Sequence, residues 1–177
     1  MTRTPYWLMG TIAVVLTVLG GAAISAQDKH AVPVPNGLAL AEFRGYEDWQ
    51  TVAVSKTDEE LAVILANPVA IEAYRAGVPG NGKPFPDGAK IAKVHWKPTT
   101  SAEAPAPTTV PDGLDNVDFM VRDTRRFADT GGWGYAQFNH DPASDTFTPD
   151  GTDAGCGYAC HTIVASKDYV FTAYAKR

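Results

Sequence analysis

Two cysteines and a histidine near the end of the chain have the types and spacing best suited to chemistry. The chain contains only two cysteines, and both lie in the segment 156–161, CGYACH. In c-type haem proteins two cysteine sulfurs bind the porphyrin vinyl groups, and the adjacent histidine binds the iron. The motif therefore predicts a covalent haem c attached to Cys156 and Cys160, with His161 as the iron ligand.

The spacing of this motif leaves two other interpretations open. The usual pattern has two residues between the cysteines and this one has three, although positions four apart still share one face of a helix. In an exported protein the same pair could form a Cys156–Cys160 disulfide. A zinc site would need four ligands, and only one histidine adjoins the pair.

The elements that must position this motif are predicted to be mainly strands. Apolar patterning predicts strands at 50–55, 61–66, 89–97, 117–122, 134–139 and 169–174. Asn67 and Pro68 predict the start of a helix that ends at Gly77. The strands are not separated by regular helices, which indicates an α+β fold class, mainly β: an antiparallel sheet with one or two packed helices.

The remaining segments predict an exported single domain. Arg3, the apolar run 7–19 and the small residues before Gln27 indicate a signal peptide at 1–26, cleaved after Ala26, and hence a periplasmic protein. A retained membrane anchor is the alternative. Residues 27–40 are expected to be a flexible lead-in to a domain at 41–177, and the proline-rich stretch 98–113 a surface loop inserted in it.

The charge of the chain excludes one class of partner. The formal net charge is −5, and removing Arg3 with the signal peptide makes it −6. No basic stripe or cluster of Lys and Arg is present, so binding to nucleic acid is not expected.

Several blocks of the sequence together resemble the cytochrome P-460 family, which also contains the cytochromes c′-beta. The blocks are YEDW at 46–49, the helix start and end at 67–77, FPDGAKIAK at 85–93, DFMVRDTRRF at 118–127, WGYAQF at 133–138, the cysteine motif, and DYVFT at 168–172. The resemblance covers most of the chain after the signal peptide. It implies a mostly antiparallel sheet with a few helices, usually in a homodimer.

The resemblance also implies roles for individual residues. The proximal histidine of the family matches His161, and the lysine that cross-links to the macrocycle matches Lys93. The distal glutamate of the family falls on Asp118, whose side chain is one methylene shorter. A distal arginine of some members falls near Ala62, so that cationic group is missing here.

The expected activity follows from these roles. We expect oxidation of hydroxylamine at a five-coordinate haem iron, with Asp118 as the base that removes protons and a soluble acceptor, such as another cytochrome, receiving the electrons. The alternative is a c′-beta-like protein that binds nitric oxide without turning over hydroxylamine. A plain electron carrier would need a sixth ligand, for which Met120 is the candidate. His95 shares the face of Lys93, either as a second distal group or as a strand histidine without a special role.

Overall fold

The architecture is one antiparallel sheet in which each strand pairs with the next along the chain. In the computed structural model, residues 32, 37–151 and 153–176 are described, so the predicted signal peptide and most of the predicted lead-in lie outside them. The six strands are β1 (Gln50–Lys56), β2 (Leu61–Ala66), β3 (Lys90–Thr100), β4 (Thr109–Arg122), β5 (Trp133–Asp141) and β6 (Thr146–Pro149). Their spatial order is the order of the sequence, so the predicted α+β, mainly β fold is confirmed.

Two short α-helices accompany the sheet, α1 (Pro68–Arg75) and α2 (Gly155–His161). Helix α1 begins as predicted, because the Asn67 side chain accepts a hydrogen bond from the Ala70 N–H at 3.0 Å and Pro68 follows it. The chain leaves the helix at Gly77, where φ is +92°. Among the described residues, no helix is both long enough and apolar enough to cross a bilayer.

The alternation of side chains gives the sheet two buried faces. One face, with Ile64, Ile91, Met120 and Tyr135, packs against α1 and the C-terminal segment. The opposite face packs against the first described residues of the chain through Leu65, Ala92, Val94, Val117, Phe119 and Phe138. Short 3-10 helices at Leu40–Phe43, Tyr46–Asp48, Ala128–Thr130 and Thr162–Lys167 complete the structure.

The end of the predicted flexible lead-in is in fact part of the core. Leu38 and Leu40 are fully buried and pack with Phe43 on the second face of the sheet. The prediction for 27–40 is therefore wrong for 37–40. The preceding residues have a loop-like composition, and the pattern of the sequence did not show that Leu38 and Leu40 cover the second face of the sheet.

The proline-rich stretch 98–113 was predicted to be a surface loop, but its two ends are parts of strands β3 and β4. β3 continues to Thr100 and β4 begins at Thr109, with Pro98 opposite Pro111. Beyond Trp96 and Asn116 these two strands have no further neighbours in the sheet. We call this two-stranded extension of β3 and β4 the proline arm. Its outer edges are unpaired among the described residues, so a proline, which lacks an N–H, costs no hydrogen bond of the sheet there.

Near the C-terminus one predicted strand is absent and one strand is present that was not predicted. Residues 169–174 were expected to close the sheet, but they are described and form no strand. Asp168 and Tyr169 have φ of +51° and +62°, which turns the chain out of a strand and over the first face. β6 (Thr146–Pro149) is the strand that was not predicted from the sequence.

Candidate functional site

Three of the predicted site residues lie around one space on the first face of the sheet. Lys93 in β3 and Asp118 in β4 are directly opposite each other in the register, and His161 ends α2. A cavity of about 340 Å³ touches all three side chains. A second cavity of about 400 Å³ shares Asp118, Met120 and His161 with the first. Each cavity falls in the range of roughly 300–1,000 Å³ that small-molecule and cofactor sites occupy.

The orientation of His161 suits a metal ligand. Its Nδ1 lies 2.6 Å from the carbonyl oxygen of Tyr169. A carbonyl only accepts, so Nδ1 carries the hydrogen and Nε2 keeps its lone pair for a metal. Burial lowers the pKa of His161, while the hydrogen bond to Tyr169 opposes that change. The ring is therefore held neutral near pH 7, between Tyr135 at 4.9 Å and Phe171 at 5.0 Å.

The carbonyl of Tyr169 is itself fixed by Asp168. The Asp168 carboxylate accepts the Phe85 N–H at 2.7 Å and pairs with the buried Arg122 at 3.3 Å. These contacts hold two successive non-glycine residues, Asp168 and Tyr169, in the left-handed region. Sequence analysis missed this role because it assigned residues 169–174 to a strand. The acidic residue that precedes the aromatic run was the available signal.

Helix α2 lies unusually close to β5. A Cβ atom on Gly157 would lie 2.5 Å from Cβ of Tyr135, so only glycine permits this approach. Positions 156 and 160 are one turn apart on the helix. Cys160 has a free thiol and lines the second cavity, whereas the Cys156 sulfur lies outside what the structure describes.

The alternative metal site gains no support. Within the described ranges, no group of three or more His, Cys, Asp and Glu side chains could hold a metal ion. The exposed thiol of Cys160 is not part of a disulfide in this structure.

Asp118 is connected to a buried histidine and, through it, to the surface. Its Oδ2 lies 2.9 Å from Nε2 of His95, and Nδ1 of His95 lies 3.2 Å from Oε2 of Glu60. The second oxygen, Oδ1, has no hydrogen-bond partner among the described residues although water does not reach it. The Asp118 side chain as a whole lines both cavities, so the carboxylate lies where a bound molecule would be.

Lys93 and Met120 complete the first cavity. Lys93 is half-buried, and within the described part of the chain no hydrogen bond or ion pair engages its ammonium group. Met120 is buried and lines both cavities. Ile64 and Ile91 form an apolar wall beside them.

Comparison with known proteins agrees with the resemblance. A family model described as Cytochrome P460 matches residues 43–172, which is most of the chain and includes the residues that surround both cavities. No curated protein matches the chain.

Proposed function

Because the chain belongs to the cytochrome P460 family and is a haem protein of that family, we propose that it oxidises hydroxylamine and passes the electrons to a soluble acceptor. The observation that supports this most directly is the position of the Asp118 carboxylate, which lines the same cavity as His161. Removal of protons from hydroxylamine requires a base at that place.

The residues present fit the haem that the family implies. His161 offers a neutral Nε2, the adjoining cavities extend on either side of it, and Cys160 lines the second of them. We propose that Cys156 and Cys160 attach the haem as thioethers and that His161 binds its iron. A haem held by these residues would supply an iron site for the substrate nitrogen and would take up its electrons.

The protein side of the reaction is proton removal in a partly apolar space. Asp118, which lines the cavity, accepts protons from bound hydroxylamine, while its Oδ2 is held by His95. Ile64, Ile91 and Val170 line the first cavity and limit the access of water. Such general-base assistance is typically worth about 10²- to 10⁴-fold in rate.

Lys93 is the proposed second covalent attachment to the macrocycle. Its position directly opposite Asp118 places its amine on the same cavity. A bond from this amine to a porphyrin carbon replaces one N–H and one C–H, so an oxidant must take two electrons and the mass falls by two hydrogens. Intact mass of the holoprotein, compared with a Lys93→Arg variant, measures this loss.

The setting of the protein is proposed on the same basis. The signal peptide at 1–26 supports export to the periplasm, where cytochrome maturation and a soluble cytochrome acceptor would be found. A homodimer is expected from the resemblance.

The decisive experiment compares Asp118→Asn with Asp118→Glu in the haem-loaded protein. The asparagine variant cannot accept a proton and should lose kcat for hydroxylamine by about 100-fold or more, with haem content and spectrum retained. The glutamate variant keeps a carboxylate and should remain within roughly an order of magnitude of the parent.

Three outcomes would contradict the proposal. If Asp118→Asn turned over hydroxylamine as fast as the parent, Asp118 would not be the base. Tight nitric oxide binding by a parent without turnover would favour a gas-binding protein. A six-coordinate ferric spectrum, with Met120 as the additional ligand, would favour an electron carrier.

A further inference from the structure

His95 is a buried side chain held between two carboxylates. Only 4% of the residue is exposed, and its ring nitrogens lie 3.2 Å from Glu60 and 2.9 Å from Asp118. The cross-strand partner of His95 in β2 is Ala62, whose small side chain leaves room for the ring. Glu60 precedes β2 and has a side chain that is 41% exposed. The three residues therefore form an array that runs from solvent to the cavity.

The chemistry of the two contacts fixes the number of protons in this array. A carboxylate only accepts hydrogen bonds, and a neutral imidazole has a single N–H to donate. Both contacts are hydrogen bonds only if the array holds one further proton. The imidazolium form supplies two donors and leaves each carboxylate ionised, which satisfies a charge in a buried position.

The other groups around His95 do not compete for this proton. Its cross-strand neighbours Ala62 and Asn116 are neutral. The further charged residues on β3 are Lys90, Lys93 and Lys97, and all three are cations that cannot accept a hydrogen bond. Glu60 and Asp118 are thus the anions that face the ring.

We infer that His95, held by Glu60, is a positioning residue for Asp118: it binds Oδ2 through a charged hydrogen bond and fixes the orientation of the carboxylate that lines the cavity. This inference rests on the proposed function, in which Asp118 is the base. It gives His95 a specific task that the sequence left undecided. It also gives the surface residue Glu60 an influence on the reaction in the cavity.

The test uses the full haem-loaded protein and three glutamine variants. Glu60→Gln removes the outer carboxylate, and His95→Gln keeps a side-chain donor but not the cation. Glu59→Gln is the matched control, because this exposed neighbour loses the same charge without a contact to His95. Two rates are measured against pH: turnover of hydroxylamine and association of cyanide with the ferric protein.

Cyanide provides a readout that does not depend on hydroxylamine chemistry. Hydrogen cyanide binds as the anion, so a base in the cavity must take its proton. The ionisation of each probe is the same for every variant, and differences between profiles therefore report on the protein.

The two limbs of each profile should respond to different variants. A cation beside a carboxylate favours its ionised form, so loss of that cation in His95→Gln should move the acid limb of each profile to higher pH. In Glu60→Gln the imidazolium loses one anionic partner and gives up its proton sooner, so the alkaline limb moves to lower pH. Glu59→Gln should leave both limbs in place.

The inference is overturned if Glu60→Gln and Glu59→Gln give the same profiles, because His95 would then only fill space in the sheet. This comparison of two surface variants remains decisive even if His95→Gln does not fold. If the parent does not turn over hydroxylamine but the cyanide profiles shift as expected, hydroxylamine is not the substrate, and the positioning role of His95 is still supported. Unshifted cyanide profiles in a protein that does turn over hydroxylamine would remove the positioning role alone.

Discussion

At the scale of single residues, the proposed iron ligand, His161, is oriented through a carboxylate that lines neither cavity, that of Asp168. Asp168 holds the turn whose next residue, Tyr169, offers its carbonyl to Nδ1 of His161. Burial raises the pKa of Asp168, although the bond from Phe85 and the charge of Arg122 oppose that change. The ionised form of Asp168 therefore lowers the free energy of unfolding relative to the protonated form.

This effect gives a pH-dependent prediction for Asp168→Asn. A carboxyl whose pKa is higher in the folded than in the unfolded state stabilises the fold at low pH, and that contribution is lost as the pH rises. The free energy of unfolding of the parent minus that of the variant should therefore fall as the pH rises through the pKa of Asp168. Denaturant unfolding of the holoprotein at a series of pH values measures this difference.

Asp87 supplies a control of opposite sign. Hydrogen bonds from the backbone and side chain of Thr124 lower the pKa of Asp87. A lowered pKa means stability that is present at neutral pH and lost on acidification. The corresponding difference for Asp87→Asn should rise with pH. A rising difference for Asp168→Asn would contradict its assignment, and a falling one for Asp87→Asn would contradict the other.

At the scale of elements, the position of α2 depends on its contact with β5. The helix brings Cys160 and His161 to the cavities, and its backbone meets Tyr135 at Gly157. Without that glycine the helix would have to move away from the sheet.

Gly157→Ala should therefore impair haem attachment. The added Cβ would lie 2.5 Å from Cβ of Tyr135, and repacking of this size typically costs about 1–3 kcal/mol. Gly155→Ala is the control on the same helix, because its Cβ would meet mainly the carboxylate of Asp153 at 3.0 Å, and that side chain can move. The haem-bearing fraction, measured by intact mass, should fall for Gly157→Ala only.

At the scale of the whole molecule, the two faces of the sheet have separate tasks. The first face surrounds the cavities, and the second is closed by Leu38, Leu40 and Phe43 from the start of the described chain. Changes on the second face should therefore alter the stability of the molecule but not its chemistry.

Leu40→Ala tests this separation. Truncation of this fully buried leucine should lower the free energy of unfolding by about 2–5 kcal/mol, with the haem spectrum and kcat for hydroxylamine unchanged. Val54→Ala, at a residue that is 74% exposed, should change neither. A loss of kcat in folded Leu40→Ala protein would show that the two faces are coupled.

The sequence by itself determined the features that depend on neighbouring residues. The cysteine motif, the cap and proline that start α1, and the alternation that forms the first five strands all act within a few positions of each other. His161 was predicted from the cysteine motif and Lys93 and Asp118 through the resemblance, and the structure places all three on one cavity.

Only the tertiary structure decided the contacts that join distant parts of the chain. His95 meets Glu60 across 35 positions, and Phe85 meets Asp168 across 83. The turn at Asp168 also depends on distant contacts, and it prevents the residues after it from forming the strand that their pattern predicts. The proline arm can form paired strands because its outer edges have no neighbouring strand among the described residues. Local patterns indicate which conformation a segment favours. Residues far along the chain determine which hydrogen-bond and charged partners each carboxylate has.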